Sequence, residues 1–156
     1  MNSTTPRLAM KRIMDEYQDL NHNDYGMSAK MNEEDLTKWV VYFFGPSETL
    51  YEGGVFKLTI DFTSKYPYEP PHCKFITKVF HPNINTSGAI CLDILKTNWI
   101  PSLSVAKLIM SIISLLTDPN PQSPLNGEAA QLYMNKRDEY NNRTKEYTEK
   151  YATITN

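Results

Sequence analysis

The stretch from Ser104 to Thr117 constrains this chain more than any other. Val105, Leu108, Ile109, Ile112, Ile113, Leu115 and Leu116 put apolar side chains around most of a helix's circumference. Such a helix cannot lie on a surface with one face in water, so the rest of the chain has to surround it. It is not a membrane span. Its longest apolar stretch, Leu108 to Leu116, is interrupted by Ser111 and Ser114 and falls well short of the ~20 residues a span requires. The first twenty residues carry Arg7, Lys11, Arg12, Asp15, Glu16 and Asp19 without an apolar run, so no signal peptide is expected.

What surrounds that helix can be read from periodicity. A helix is expected from about Thr5 to Leu20, with Thr5 as cap, Pro6 in the first position, and Met10, Ile13, Met14, Tyr17 and Leu20 on one face. Strands are expected at Met27 to Met31 and Trp39 to Phe44. A third runs through Phe56, Leu58, Ile60 and Phe62, and a fourth through Cys73 and Phe75, with Thr77 as a candidate continuation. Gly45-Pro46, Gly53-Gly54 and Pro70-Pro71 supply the turns, and short consecutive connections favour an antiparallel meander. Two further helices follow Asp118-Pro119-Asn120-Pro121, at about Gly127 to Asn135 and Asp138 to Tyr151, the last burying Tyr140, Tyr147 and Tyr151. The expectation is an α+β fold: a four-stranded antiparallel meander flanked by an N-terminal helix, a central helix and two C-terminal helices. With 156 residues, 40% of them hydrophobic, one domain over residues 1–156 with no extension is expected. Two halves would each be too small to hold together without disulfides or a metal.

Sixteen basic and eighteen acidic residues give a net charge of −2, which argues against broad docking on nucleic acid or an anionic membrane. Two cysteines, Cys73 and Cys91, cannot build a disulfide framework, so a reducing compartment is expected. Cys73 falls within a strand pattern and reads as core. No metal is expected, because His22, His72, Cys73, His81 and Cys91 match no common zinc spacing. Lys78 to Ser102 has no regular pattern, and a loop of that length is either functional or the sign of a missed element. It holds Cys91, whose bland reading is an inert buried thiol, and His81-Pro82-Asn83. Pro82 stiffens this turn. His81 and Asn83 either satisfy loop backbone groups or, for the Asn83 amide, donate to a developing oxyanion. Spacing alone leaves both open.

His81-Pro82-Asn83, then Cys91-Leu92-Asp93-Ile94-Leu95, then Trp99 and Pro101, resembles the ubiquitin-conjugating enzymes. Tyr51-Glu52-Gly53-Gly54-Val55-Phe56, Tyr66-Pro67-Tyr68-Glu69-Pro70-Pro71 and Asp118-Pro119-Asn120-Pro121 match the same family in the same order, from about Leu8 to Tyr151. The resemblance implies the UBC fold. It also implies an enzyme that accepts ubiquitin from an ATP-consuming activating enzyme as a thioester on Cys91, then passes it to substrate lysines with a RING or HECT ligase. By the same resemblance Asn83 stabilises the oxyanion, His81 mainly shapes the loop, and Ser123 helps to position the incoming amine. No cofactor is implied.

Partner surfaces also follow from the resemblance alone. Tyr68, Pro101 and Ser102 match the two loops that receive ligases. Lys11 and Arg12 match basic positions shared by activating enzyme and ligase. Ser28 lies near the position used to bind a second ubiquitin without a covalent bond. Asp15 and Ile100 depart from common residues of the family, which bears on ligase choice. The implied location is cytoplasmic, nuclear or both. The rival readings are a conjugating enzyme for another ubiquitin-like modifier and a non-catalytic variant of the fold, against which the presence of Cys91 and Asn83 counts.

Overall fold

The computed structural model describes residues 5–154. The apolar helix is not surrounded as its sequence led us to expect: it buries one face in the core and leaves Lys107, Met110, Ser114 and Thr117 exposed on the other. This helix, here α2 (Val105–Thr117), buries Val105, Ala106, Leu108, Ile109, Ile112, Leu115 and Leu116. Burying each of the larger ones contributes about 1.5–3 kcal/mol. Ser104 starts the helix by accepting the Lys107 N–H on its hydroxyl at 3.0 Å, which satisfies one of the orphan donors of the first turn.

The other elements are α1 (Arg7–His22), β1 (Met27–Met31), β2 (Lys38–Phe44), β3 (Val55–Asp61), β4 (His72–Phe75), α3 (Gly127–Asn135) and α4 (Arg137–Tyr151), with a short 3-10 turn at Asp93–Leu95. The strands pair in chain order β1-β2-β3-β4, all antiparallel, as the short connections led us to expect. The register places Phe43 opposite Phe56 and Ile60 opposite Cys73. Trp39, Val41, Phe43, Leu58 and Phe75 are buried with them. The alternate residues, including Lys38, Lys57 and Lys74, then point to the other face.

Two local expectations need correction. Thr5 does not cap α1. Pro6 occupies the cap position, makes no side-chain cap bond, and leaves the buried Thr5 hydroxyl without a hydrogen-bond partner. In α4 the buried residues are Tyr140, Thr144 and Thr148, whereas Tyr147 and Tyr151 are half-buried. The threonines tolerate burial because each hydroxyl donates to the helix's own backbone. Thr144 reaches the Tyr140 carbonyl at 2.8 Å and Thr148 the Thr144 carbonyl at 3.0 Å. Small side chains are needed there: a Cβ on Gly54 would stand 2.9 Å from the Thr148 methyl.

The irregular segment after β4 is packed rather than loose. Residues 79–84 are all buried. Isolated bridges join Lys74 to Ala89, His81 to Ile84 and Ile84 to Ile90, so its backbone groups are paired without forming a strand.

Candidate active site

Pro82 is where the irregular segment is fastened. Its carbonyl accepts two N–H groups, from Leu125 at 2.8 Å and Asn126 at 3.0 Å. Asn126 then caps α3 by accepting the Ala129 N–H at 3.1 Å. The residues after Asp118-Pro119-Asn120-Pro121 are thereby tied to His81-Pro82-Asn83.

His81 is fully buried. Its Nδ1 accepts the Asn83 N–H at 2.9 Å, and its Nε2 donates to the Leu115 carbonyl at 2.7 Å. That pair of bonds fixes the neutral tautomer with the proton on Nε2. Burial pushes the imidazole down to about 4, because a charged ring there loses its water. His81 shapes the turn and joins it to the end of α2.

Asn83 is 0% exposed. Its Oδ1 accepts the Asn120 N–H at 2.8 Å. Its Nδ2 donates to the Asn120 carbonyl at 2.7 Å and to the Ser123 carbonyl at 3.0 Å. Both amide hydrogens are therefore committed to backbone carbonyls, and in this arrangement neither is free for an oxyanion. Of the two readings left open by spacing, the geometry here is the loop-holding one. On the other side, the Asn83 backbone carbonyl accepts the Cys91 N–H at 2.9 Å. One residue thus joins the cysteine's backbone to the 120–123 turn.

Cys91 is partly exposed, whereas Cys73 is buried. Burial pushes the Cys73 thiol well up, and its sulfur lies 3.9 Å from the Pro71 carbonyl. Cys73 is thus the inert core thiol the strand pattern implied. Just after Cys91, the Asp93–Leu95 turn closes on itself. The Asp93 carbonyl accepts the Lys96 and Asn98 N–H groups, and its carboxylate accepts from the Asn98 amide at 3.0 Å. Ser123 is exposed. Its N–H donates to the Asn120 carbonyl and its own carbonyl accepts from the Asn83 amide, so its backbone, not its hydroxyl, holds the turn. Among the described residues no group of three or more His, Cys, Asp or Glu side chains is placed to hold a metal.

The partner-surface residues divide. Tyr68 is 80% exposed, and Pro101 and Ser102 are exposed. Their two loops are joined where the Trp99 indole N–H donates to the Pro67 carbonyl at 2.8 Å. Lys11 is exposed and reaches Asp15 at 2.7 Å. Arg12 is turned inward instead: its guanidinium donates to the Leu103 carbonyl at 2.8 Å and lies 5.3 Å from the Tyr66 ring centre. Ser28 is opposite Tyr42 in β1. Both line a groove of about 460 Å³ with Phe44 and Val55, on the outer face of the sheet.

Two residues escaped the sequence reading. Asn120 stands between two prolines, which carry no N–H, so it owns the one backbone N–H in Pro119-Asn120-Pro121. That pattern was a signal that its backbone is used. Glu16, named above only among the charges of the first twenty residues, accepts the Val105 N–H on its carboxylate at 3.0 Å.

A sequence profile described as ubiquitin-conjugating enzyme matches residues 12–148. The chain is also similar to the solved E2 domain of a Toxoplasma gondii ubiquitin conjugating enzyme. The two share 39% identity at a TM-score of 0.87, over 92% of this chain and 99% of that one.

Proposed function

The chain belongs to the ubiquitin-conjugating enzyme family, and we propose that it carries ubiquitin as a thioester on Cys91 and delivers it to substrate lysines. The observation that carries this reading is the contrast between the two thiols. Cys91 is partly exposed in a bonded turn, and Cys73 is buried. Only the first is open to a large acyl donor.

In the proposed cycle the Cys91 sulfur attacks the thioester carbonyl of ubiquitin held on the activating enzyme. The new S–C bond forms as that enzyme's cysteine leaves as thiolate, so the acyl-transfer potential is conserved. In the second step a lysine amine attacks the same carbonyl, loses a proton, and expels the Cys91 thiolate. A free lysine has a pKa near ~10.4 and is mostly protonated at neutral pH. Desolvation at the mouth of the site lowers it. Ser123, exposed beside the turn that Asn83 grips, is proposed to orient the amine. Asn83 is proposed to act first by positioning. It aligns the Cys91 backbone with the 120–123 turn, and donation to an oxyanion requires it to release Asn120 or Ser123.

Ubiquitin, its activating enzyme and a RING or HECT ligase are the partners this reading requires. Tyr68, Pro101 and Ser102 are the proposed ligase contacts, and Lys11 is proposed as a further contact shared by activating enzyme and ligase. Ser28 and its groove are the proposed seat for a second ubiquitin. The cytoplasm, the nucleus or both are proposed as its location, since a reducing milieu keeps Cys91 free.

Intact-mass measurement tests the assignment. After incubation with activating enzyme, ATP and ubiquitin, wild type and Cys73→Ser should each gain one ubiquitin less one water. Cys91→Ala should gain nothing. A gain on Cys91→Ala, or on a different ubiquitin-like modifier in place of ubiquitin, refutes the assignment as stated.

A further inference from the structure

Arg12 and Glu16 form a partly buried cluster that neither step of the proposed cycle uses. The Glu16 side chain is 11% exposed and the Arg12 side chain 28%, and they approach to 3.5 Å one turn apart on α1. Glu16 does more than pair with Arg12. Its Oε2 accepts the N–H of Val105, the first residue of α2, at 3.0 Å. That group is one of the orphan donors of a helix start, and a carboxylate there is further favoured by the helix dipole. Ser104 satisfies a second donor. A side chain from α1 thus completes the cap of the central helix.

Arg12 extends the cluster in two directions. Its Nη2 donates to the Leu103 carbonyl at 2.8 Å, holding the loop that ends in Pro101, Ser102 and Leu103 against α1. Its guanidinium also lies over Tyr66, two residues before the exposed Tyr68. Tyr66 in turn meets Trp99 with ring centres 6.0 Å apart, and Trp99 bonds to Pro67. Both loops that carry the exposed residues therefore converge on one partly buried ion pair.

We propose that Glu16 is a positioning residue for ligase-promoted transfer, acting through Arg12 and the first turn of α2 to set the loop that presents Pro101 and Ser102; this rests on the conjugating-enzyme reading above. A side chain so little exposed has almost no surface to offer a partner. Any effect of Glu16 on partner binding must pass through the loops it holds. Removing its charge frees Arg12 to swing outward and releases the Leu103 carbonyl.

The test uses the ubiquitin-loaded full chain and, as probe, an isolated RING domain that stimulates wild-type discharge to free lysine. Glu16→Ala should raise the half-saturating RING concentration at least fivefold. Glu16→Gln, which keeps an acceptor for Val105 but not the charge for Arg12, should raise it less. Discharge without the RING domain should stay within twofold of wild type in both. Amide NMR of the unloaded variants should show shifts reaching from Glu16 to Ile100, Ser102 and Leu103. An unchanged half-saturating concentration in both variants, or shifts that stop at α1 and Val105, overturns the proposal. If wild type takes up no ubiquitin at all, it is the conjugating-enzyme reading that fails. The amide shifts of the unloaded protein then decide the loop-setting role by themselves.

Discussion

Asn83 and Asn120 are joined twice, side chain to backbone: the Asn83 Oδ1 accepts the Asn120 N–H at 2.8 Å, and its Nδ2 donates to the Asn120 carbonyl at 2.7 Å. Asn83→Ala leaves the Asn120 N–H without its acceptor and takes a donor from two carbonyls. The expected cost is about 1–3 kcal/mol in urea unfolding, together with slower discharge to lysine. Asn120→Ala keeps both bonds to Asn83 and loses only the long 3.3 Å bond from the Gln122 N–H to its own Oδ1, so it should be much milder on both counts. If Asn83→Ala instead stopped discharge at unchanged stability, direct oxyanion donation rather than positioning would be the role of the amide.

His81 gives stability a pH dependence. Its folded pKa, about 4, lies below the unfolded value near ~6.5. Between those values the unfolded chain binds a proton that the folded one refuses. Stability from this residue is therefore full above about pH 6.5, falls as the pH drops, and is exhausted by about pH 4. The whole contribution is about 3 kcal/mol. Urea midpoints measured from pH 7 to pH 4 should show a decline that is shallower in His81→Gln, which has no titrating ring.

Gly88 and Gly127 should respond oppositely to alanine. Gly88 has φ +90°, and a Cβ there would meet the Phe75 carbonyl oxygen at 2.0 Å. It lies in the turn that leads through Ile90 to Cys91. Gly88→Ala should destabilise by about 2 kcal/mol or more. Gly127 begins α3 with nothing within 4 Å of a new Cβ, so Gly127→Ala should stabilise by about 0.4–1 kcal/mol. Thermal melts of the two variants side by side check both signs.

Ser123 contributes its backbone to the turn, so Ser123→Ala should leave the melting temperature within about 1 °C, in keeping with an exposed site. Discharge to lysine should nonetheless slow if the hydroxyl orients the amine. Ser123→Asp, a mimic of phosphorylation, should change that rate as well, by placing a charge beside the incoming ammonium. Equal discharge rates in all three proteins would remove Ser123 from the proposed site.

Much of this architecture was legible in the residues. The alternation from Phe56 to Phe62 and the apolar run of Ser104 to Thr117 are local patterns that mark core elements, but the run overstated the burial of its helix, which keeps Lys107, Met110, Ser114 and Thr117 in water. Cys91 and Cys73 also separated early, one in an irregular segment and one in a strand. What stayed hidden depends on partners far along the chain. Asn83 finds its bonds 37 and 40 residues away, and Arg12 reaches across 91 residues to Leu103. No spacing rule indicates that an arginine on an amphipathic helix turns inward. The threonine face of α4 was missed for a related reason. A polar side chain that bonds to its own helix behaves as core, and composition counts it as surface.

The most direct measurement is a non-reducing gel of this protein mixed with activating enzyme, ATP and ubiquitin. A new band at the summed mass is expected in wild type, lost on adding thiol or on changing Cys91 to Ala. Its persistence in the presence of thiol, or its appearance with Cys91→Ala, would contradict a labile acyl bond on that sulfur.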